Sequence, residues 1–277
     1  PAGQNDFFIE EGGRLGEVYG YELDGFYTTD DFSWDGSKWI LNENLTDPTE
    51  LIKYNNFGPG SLKLKADEDG KYTKKRLGNT VPTVTGGFGI NMRYKNFDLS
   101  AFFNYSLGNK IVNATKLGSS YYNDTKKGWN LNDNFTLAKR YSWIDPSTGE
   151  NMLKSSYIKS NGLDYTINRL NEINAGASMY NPGSITEMPL LDWAVEDGSF
   201  LRVNNISIGY TLPKVFVNKM FMQNVRIYVT GYNLYCFTKY SGADPEVDTR
   251  RSTPMTPGVD YSAYPKSRSF VGGINVT

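Results

Sequence analysis

Histidine is missing altogether from this 277-residue chain. Its absence removes the usual general base, the commonest zinc ligand and every histidine-containing triad. Cysteine is nearly missing as well: Cys236 stands alone, so there is no intrachain disulfide and no disulfide-stapled secreted domain. Charge of one sign is lacking too. The 29 basic and 30 acidic residues leave a formal net charge of −1, which is no footprint for nucleic acid, and no such partner is expected. No run of about 18 apolar residues occurs, so no helix spans a membrane. Hydropathy is blind to membrane barrels, however, because their strands are only half apolar. The first residues, Pro1-Ala2-Gly3-Gln4-Asn5, have neither the basic nor the apolar region of a signal peptide. A secreted or outer-membrane reading therefore expects a mature form or a piece of a longer chain.

Catalysis without histidine would fall to carboxylates. The pairs Glu10-Glu11 and Asp30-Asp31 are adjacent in sequence, and such neighbours point apart or repel, whereas glycoside hydrolysis needs two carboxylates at a set distance. They read as solvated charges. No enzyme is expected.

What the chain has in quantity is aromatic residues, at 14 %, with 20 Tyr, 15 Phe and 28 Gly. Residues 205–212 alternate strictly: Ile206, Ile208, Tyr210 and Leu212 share one face, with Asn205, Ser207, Gly209 and Thr211 on the other. That is a β-strand with one apolar and one small polar face. The same pattern sets Phe88, Ile90, Met92 and Tyr94 against Gly87, Gly89, Asn91 and Arg93. It recurs along 97–107, where only Phe102 breaks it. Lys95-Asn96 joins these two runs as a tight hairpin, with Asn96 suited to positive φ. Strands are expected at 3–11, 18–27, 85–95, 97–107, 200–212, 225–237 and 267–277, about seven in all. One short helix is expected near Phe135–Trp143, ended by Asp145-Pro146. Residues 28–82, 108–199 and 238–266 read as long irregular excursions.

After the second strand the connections alternate long and short, as in outer-membrane barrels with long loops at one end and tight turns at the other. Strands of this length also suit a tilted membrane span better than a sandwich. The fold class is therefore all-β: strands of a transmembrane antiparallel β-barrel, residues 1–277 forming one incomplete domain. An open edge is not tolerated in lipid, so further strands are expected upstream. The alternative is a soluble secreted β-rich module that binds glycans through its loop tryptophans.

Four blocks carry a family resemblance. Asp197–Pro213 (Asp-Gly-Ser-Phe-Leu-Arg-Val-Asn-Asn-Ile-Ser-Ile-Gly-Tyr-Thr-Leu-Pro) resembles the block before the C-terminal strands of SusC/RagA-type TonB-dependent transporters. Gly16–Tyr27 is similar to that family's Gly-Tyr-x-x-Asp-Gly element, and Tyr232–Val247 to its Asn-Leu…Tyr-Ser-Gly-x-Asp-Pro-Glu segment. Tyr264–Val276 resembles its closing Tyr-Pro…Arg-Ser-Phe…Gly-Gly-Ile-Asn-Val strand. The resemblance implies roughly the C-terminal third of a barrel of about 22 strands, without plug domain or TonB-contact segment. It implies the outer membrane of a Gram-negative bacterium, with TonB contacted through the missing N-terminal part. A SusD-like surface lipoprotein is the implied lid, and an oligosaccharide or peptide the implied cargo, glycan favoured. It also implies that the short connections face the periplasm and that one residue follows Thr277, since members usually end in Phe. Members often carry Asp-x-Asn-x-Asp-Gly. Here the run is Lys65-Ala66-Asp67-Glu68-Asp69-Gly70, whose oxygen set is incomplete for calcium at Asp67 and Asp69. No cofactor is expected.

Candidate ligand or lid contacts all fall in the excursions. Trp34, Trp39, Trp129, Trp143 and Trp193 could stack on sugar faces or a partner, or else pin the loops into small cores. Asp244, Glu246 and Asp248 form an alternating cluster, either a calcium or lid-contact site or a solvated turn set by Asp244-Pro245.

Overall fold

Period-two alternation becomes one antiparallel sheet in the computed structural model, which describes residues 6–122, 130–246 and 255–277. Its five strands are β1 (Val84–Tyr94), β2 (Phe97–Leu107), β3 (Phe200–Thr211), β4 (Val225–Thr238) and β5 (Ser269–Val276). Each pairs with its neighbour in sequence, giving a plain meander. The connections 95–96 and 212–224 are short, and 108–199 and 239–268 are long. At the tight turn it is Lys95, not Asn96, that takes positive φ (54°). Asn96 is occupied otherwise: its side-chain amide donates to the Thr211 carbonyl at 2.7 Å, and its own carbonyl accepts from Thr211 N–H at 2.8 Å.

The outer face of the sheet is apolar and exposed. Phe88, Ile90, Met92, Phe97, Ile208, Ile227, Val229, Phe270, Ile274 and Val276 all stand in the open. So continuous an apolar wall on a folded sheet marks a contact with something other than water, and its alternation with a polar face is that of a membrane barrel. The inner face is built from small residues that make room for long ones. Phe102, the exception to the alternation, lies over Gly87 and Gly89 across the β1–β2 pair. Gly209 leaves space for the guanidinium of Arg226, which a Cβ there would strike.

Sequence and structure part company before β1. The expected strand at 3–11, of which residues 6–11 are described, and that at 18–27 do not join the sheet. Phe7–Phe8 pairs with Glu17–Gly20, and Leu23–Phe26 pairs with Leu62–Leu64 across a register shift. Val18, Tyr27, Leu62 and Leu64 are all buried. This is loop packing rather than a two-faced wall, so the sheet has five strands where about seven were expected.

The chain divides into two compact units. The sheet lies in residues 9–16, 78–112 and 196–277; the other unit comprises 1–8, 17–77 and 113–195. The core of the latter unit gathers Tyr27, Phe32, Trp39, Tyr141, Trp143, Met152, Tyr157, Ile158 and Leu170. Two helices flank it, α1 (Ser155–Asn161) and α2 (Leu163–Ile173). The helix expected at 135–143 is absent. Tyr141 N–H donates to the Met179 carbonyl, and the Trp143 carbonyl accepts from Met152 N–H, both at 2.8 Å. The stretch begins with turns, Phe135 ending a 3-10 turn and Arg140 N–H donating to Thr136 O at 3.0 Å, and from Tyr141 onward partners distant in sequence hold it extended and bury Tyr141 and Trp143. Propensity lost to tertiary pairing.

Residue orientation in the wall is testable on the full-length protein in liposomes. Ile208→Arg places a charge on the lipid face and is expected to cost about 2–4 kcal/mol if it sits near mid-depth. Asn91→Arg, on the inner face, is expected to stay within about 0.5 kcal/mol of wild type. Denaturant titrations showing equal losses would reject this assignment of faces.

Candidate functional site

Two surfaces could meet a solute, one in each unit. The first is the upper inner wall of the sheet. Between Val203 and Asn205 the register of β3 shifts by one residue against β2. A bulge of this kind reverses which face the following side chains take. Ile206, Ile208 and Tyr210 point outward below it, whereas Arg202 and Phe200 above it share the inner face with Ser207 and Gly209. The pairing confirms this: Arg202 stands opposite Asn104, and Ser207 opposite Ser100, both on the same side of β2. The neighbouring strand β4 adds a further residue at the same level, where Asn233 takes φ 51°.

Arg202 is thereby delivered, 4 % exposed, to a pair of carboxylates. Its Nη2 donates to Asp244 Oδ1 at 2.5 Å and its Nε to Glu246 Oε2 at 2.6 Å. Lys266 Nζ donates to the same Glu246 oxygen at 2.6 Å, and Asn104 donates to the other at 3.1 Å. Glu246 N–H closes back on Asp244 Oδ1 at 2.9 Å. The segment around Asp244-Pro245 is thus folded down onto the wall rather than left in solvent. Asp244, 3 % exposed, is no solvated turn residue, and its carboxylate is engaged by a guanidinium. That corrects the solvated-turn reading for Asp244; Asp248 lies outside the described residues. Cys236 stands opposite Arg202 on β4, free and half-buried. Lower on the same wall Arg226 grips Asp98, with Nε to Oδ1 at 3.0 Å and Nη2 to Oδ2 at 2.5 Å. Thr230 and Ser207 join hydroxyls at 2.8 Å.

The second surface is a cleft of about 780 Å³ within the loop unit. Asn55, Asn56, Asn130 and Asn181 supply amides, Arg140 a guanidinium, and Tyr122, Phe135, Tyr141 and Trp143 aromatic surface. Tyr122 N–H to Pro182 O, Asn55 N–H to Ser184 O and Asn181 N–H to Gly60 O, each 2.8 Å, fix its edges. Gly60, at φ 83°, lies where a Cβ would run into the Tyr141 ring. Below the cleft, Asp145 follows the lining segment and accepts from Tyr157 Oη at 2.6 Å and from Arg169 at 3.2 Å. The Tyr157 hydroxyl first, then the Ser147 N–H and Arg169, hold its carboxyl down to about 2.

The tryptophans divide. Trp39 and Trp143 are buried in the loop core, Trp143 Nε1 donating to Pro59 O at 2.7 Å, while Trp34 packs against Trp39 at 5.4 Å between ring centroids. Trp143 alone of these lines the cleft. Trp193 is covered by Lys116, whose Nζ sits 4.6 Å from its ring. Trp129 lies outside the described residues. Asp67 serves its own turn, accepting from Asp69 N–H at 3.1 Å, Lys71 N–H at 2.8 Å and Thr73 Oγ1 at 3.2 Å. Among the described residues no group of three or more metal-ligating side chains is assembled. Sequence reasoning missed Arg202 and the amides of the cleft. For Arg202 a signal existed, since Phe200 and Arg202 share the parity of the outward isoleucines across the Asn204-Asn205 pair; for scattered asparagines there was none.

No protein-family model matches the chain. TonB-dependent receptor P3 of Formosa agariphila is 31 % identical over 97 % of this chain and 22 % of its own length. TonB-dependent receptor P39 of the same organism is 25 % identical, over 98 % of this chain and 26 % of its own. TonB-dependent receptor SusC of Bacteroides thetaiotaomicron is 23 % identical over 98 % of this chain and 22 % of its own. The RagAB peptide importer in its closed-closed state shares the fold, with TM-score 0.52 and 18 % identity over 98 % of this chain and 25 % of that one. The chain thus spans about a quarter or less of these relatives. A lipid-facing wall, a small-residue interior and these relatives define part of an outer-membrane β-barrel rather than a soluble module. Over nearly its whole length the chain matches SusC/RagA-type TonB-dependent receptors, as the C-terminal part of their barrel.

Two measurements follow from the geometry. Arg202→Ala strands Asp244 in a buried site and leaves Glu246 to Lys266 and Asn104; it is expected to cost about 3–5 kcal/mol, while the apolar pair Arg202→Met with Asp244→Leu recovers most of it. Unfolding free energies of the three proteins decide this. The pH response of the loop unit has a definite sign. Because the folded Asp145 is depressed to about 2, its stabilising contribution is complete above the ordinary carboxylate range, near 4, and is lost as pH falls toward 2. Asp145→Asn is expected to flatten that acid loss, read from tryptophan fluorescence against pH.

Proposed function

We propose that the full-length protein imports an oligomeric nutrient across the outer membrane, energised through TonB, with a SusD-like surface lipoprotein as its lid and no bound cofactor. In this reading residues 1–277 belong to one barrel domain whose remaining strands and plug lie upstream. They contribute wall and capture surface; the plug moves aside to open the path. The five-stranded meander, apolar outside and small and polar inside, is the observation that carries it.

The favoured cargo is a glycan. Amides and aromatic faces are what a neutral polyhydroxylated chain requires, hydrogen bonds at its rim and stacking on its apolar faces. The described lining of the cleft holds no carboxylate. An oligopeptide is the second reading, favoured by the fold shared with RagAB, a peptide importer.

Growth of a deletion strain on a panel of glycans and peptides tests the assignment. Loss of growth on one glycan class, restored by the intact gene, is expected; loss confined to peptides would replace the first reading with the second. In the complemented strain, Tyr122→Ala with Arg140→Ala is expected to raise the half-saturating concentration for uptake about tenfold, ~1.4 kcal/mol. An unchanged value would remove the cleft from the path.

A further inference from the structure

The turn between β3 and β4 leaves three large apolar side chains in the open. Residues 214–217 form one helical turn and 218–220 a 3-10 turn. Val217 is tucked in, but Val215 is 70 %, Phe216 60 % and Phe221 100 % exposed. Phe221 also takes φ 57°, a left-handed conformation that glycine or asparagine adopts at less cost than a bulky side chain. An aromatic ring in a strained position, with no cover among the described residues, points to a neighbour outside them.

We propose that residues 213–222 form an interfacial anchor, seating the short-turn end of the barrel on phospholipid by inserting Val215, Phe216 and Phe221 beside lysines that bind headgroup phosphate. Continuity is the first argument. Tyr94, Phe97, Ile227 and Val276 are exposed where the outer wall reaches this end, so the turn extends an apolar surface already assigned to lipid. Charge is the second. Lys95, Lys214 and Lys219 are exposed at the two turns of this end, and no acidic residue occurs between Gly209 and Asn224 or between Met92 and Phe97. Among the described residues none of the three lysines makes an ion pair. Cations beside exposed aromatics suit an anionic headgroup region. The turn is also held in place, as an anchor must be. Thr277 N–H donates to the Asn224 carbonyl at 2.9 Å, Asn224 N–H donates to that of Thr277 at 3.0 Å, and Leu212 N–H donates to Val225 O at 2.9 Å.

The test uses the full-length transporter, made cysteine-free and carrying Phe216→Cys, Phe221→Cys or Val229→Cys, labelled with an environment-sensitive dye. It is reconstituted in phosphatidylcholine vesicles with or without phosphatidylglycerol, and the gel shift on heating confirms a folded barrel. Labels at 216 and 221 are expected to be quenched more by shallow than by deep nitroxide lipids, and the label at 229 more by deep ones. Phosphatidylglycerol should strengthen the shallow quenching, and replacing Lys95, Lys214 and Lys219 by glutamine should abolish that gain. The anchor is refuted if 216 and 221 stay open to aqueous iodide while 229 is quenched by lipid. It is equally refuted if they are shielded from both lipid and iodide, which would place a protein surface there. Failure at 229 itself would instead strike the membrane orientation of the sheet.

Discussion

Backbone hydrogen bonding in a medium without water is the constraint on which the rest depends. A strand that faces lipid must pair its N–H and C=O groups with other strands, because no solvent takes the remainder. The plain meander from β1 to β5 meets this in the simplest way, each strand bonded to the one before and after it in sequence. With the backbone paired, side chains divide by parity alone. The outward set can be uniformly apolar. The inward set has to be small wherever a long neighbour crosses, hence Gly87 and Gly89 beneath Phe102 and Gly209 beneath Arg226.

The bulge at Asn204 is where this order is deliberately broken. Without it Arg202 would carry the outward parity of Ile206 and Ile208 and face lipid, where a guanidinium is expensive. One inserted residue turns it inward. There it finds two carboxylates from the 239–268 connection and folds that connection onto the wall. The gain is positional more than energetic, since desolvating three charges offsets much of their attraction. Asp244 and Glu246 are thereby fastened against the wall.

How much of this was legible follows from the same physics. The five sheet strands were read nearly to their ends because each separates two environments, and that separation writes a period of two into the residues. Residues 3–11 and 18–27 carried a similar pattern for another reason. Tyr27 and Val18 are buried in loop packing, where short strands are covered on both sides and period no longer reports a wall. The α2 helix had Leu163, Ile167, Leu170 and Ile173 at helical spacing, but its Asn and Thr content and the Gly162 before it made the stretch resemble an irregular loop. The cleft was illegible for a deeper reason. Its asparagines come from segments as far apart as 55 and 181, brought together by single backbone bonds that leave no local pattern.

The two surfaces divide labour by their charge. On the wall these charges are paired off: Arg202 with Asp244 and Glu246, Lys266 with Glu246, Arg226 with Asp98. Where it is so paired, the wall offers a solute mainly dipoles and hydroxyls. The cleft differs in kind, with neutral amides, aromatic faces and the guanidinium of Arg140. A cationic ligand would find no counter-ion among its described residues and would lose its hydration without return. A neutral chain exchanges water hydrogen bonds for amide ones at little net cost, and aromatic contact then decides the balance.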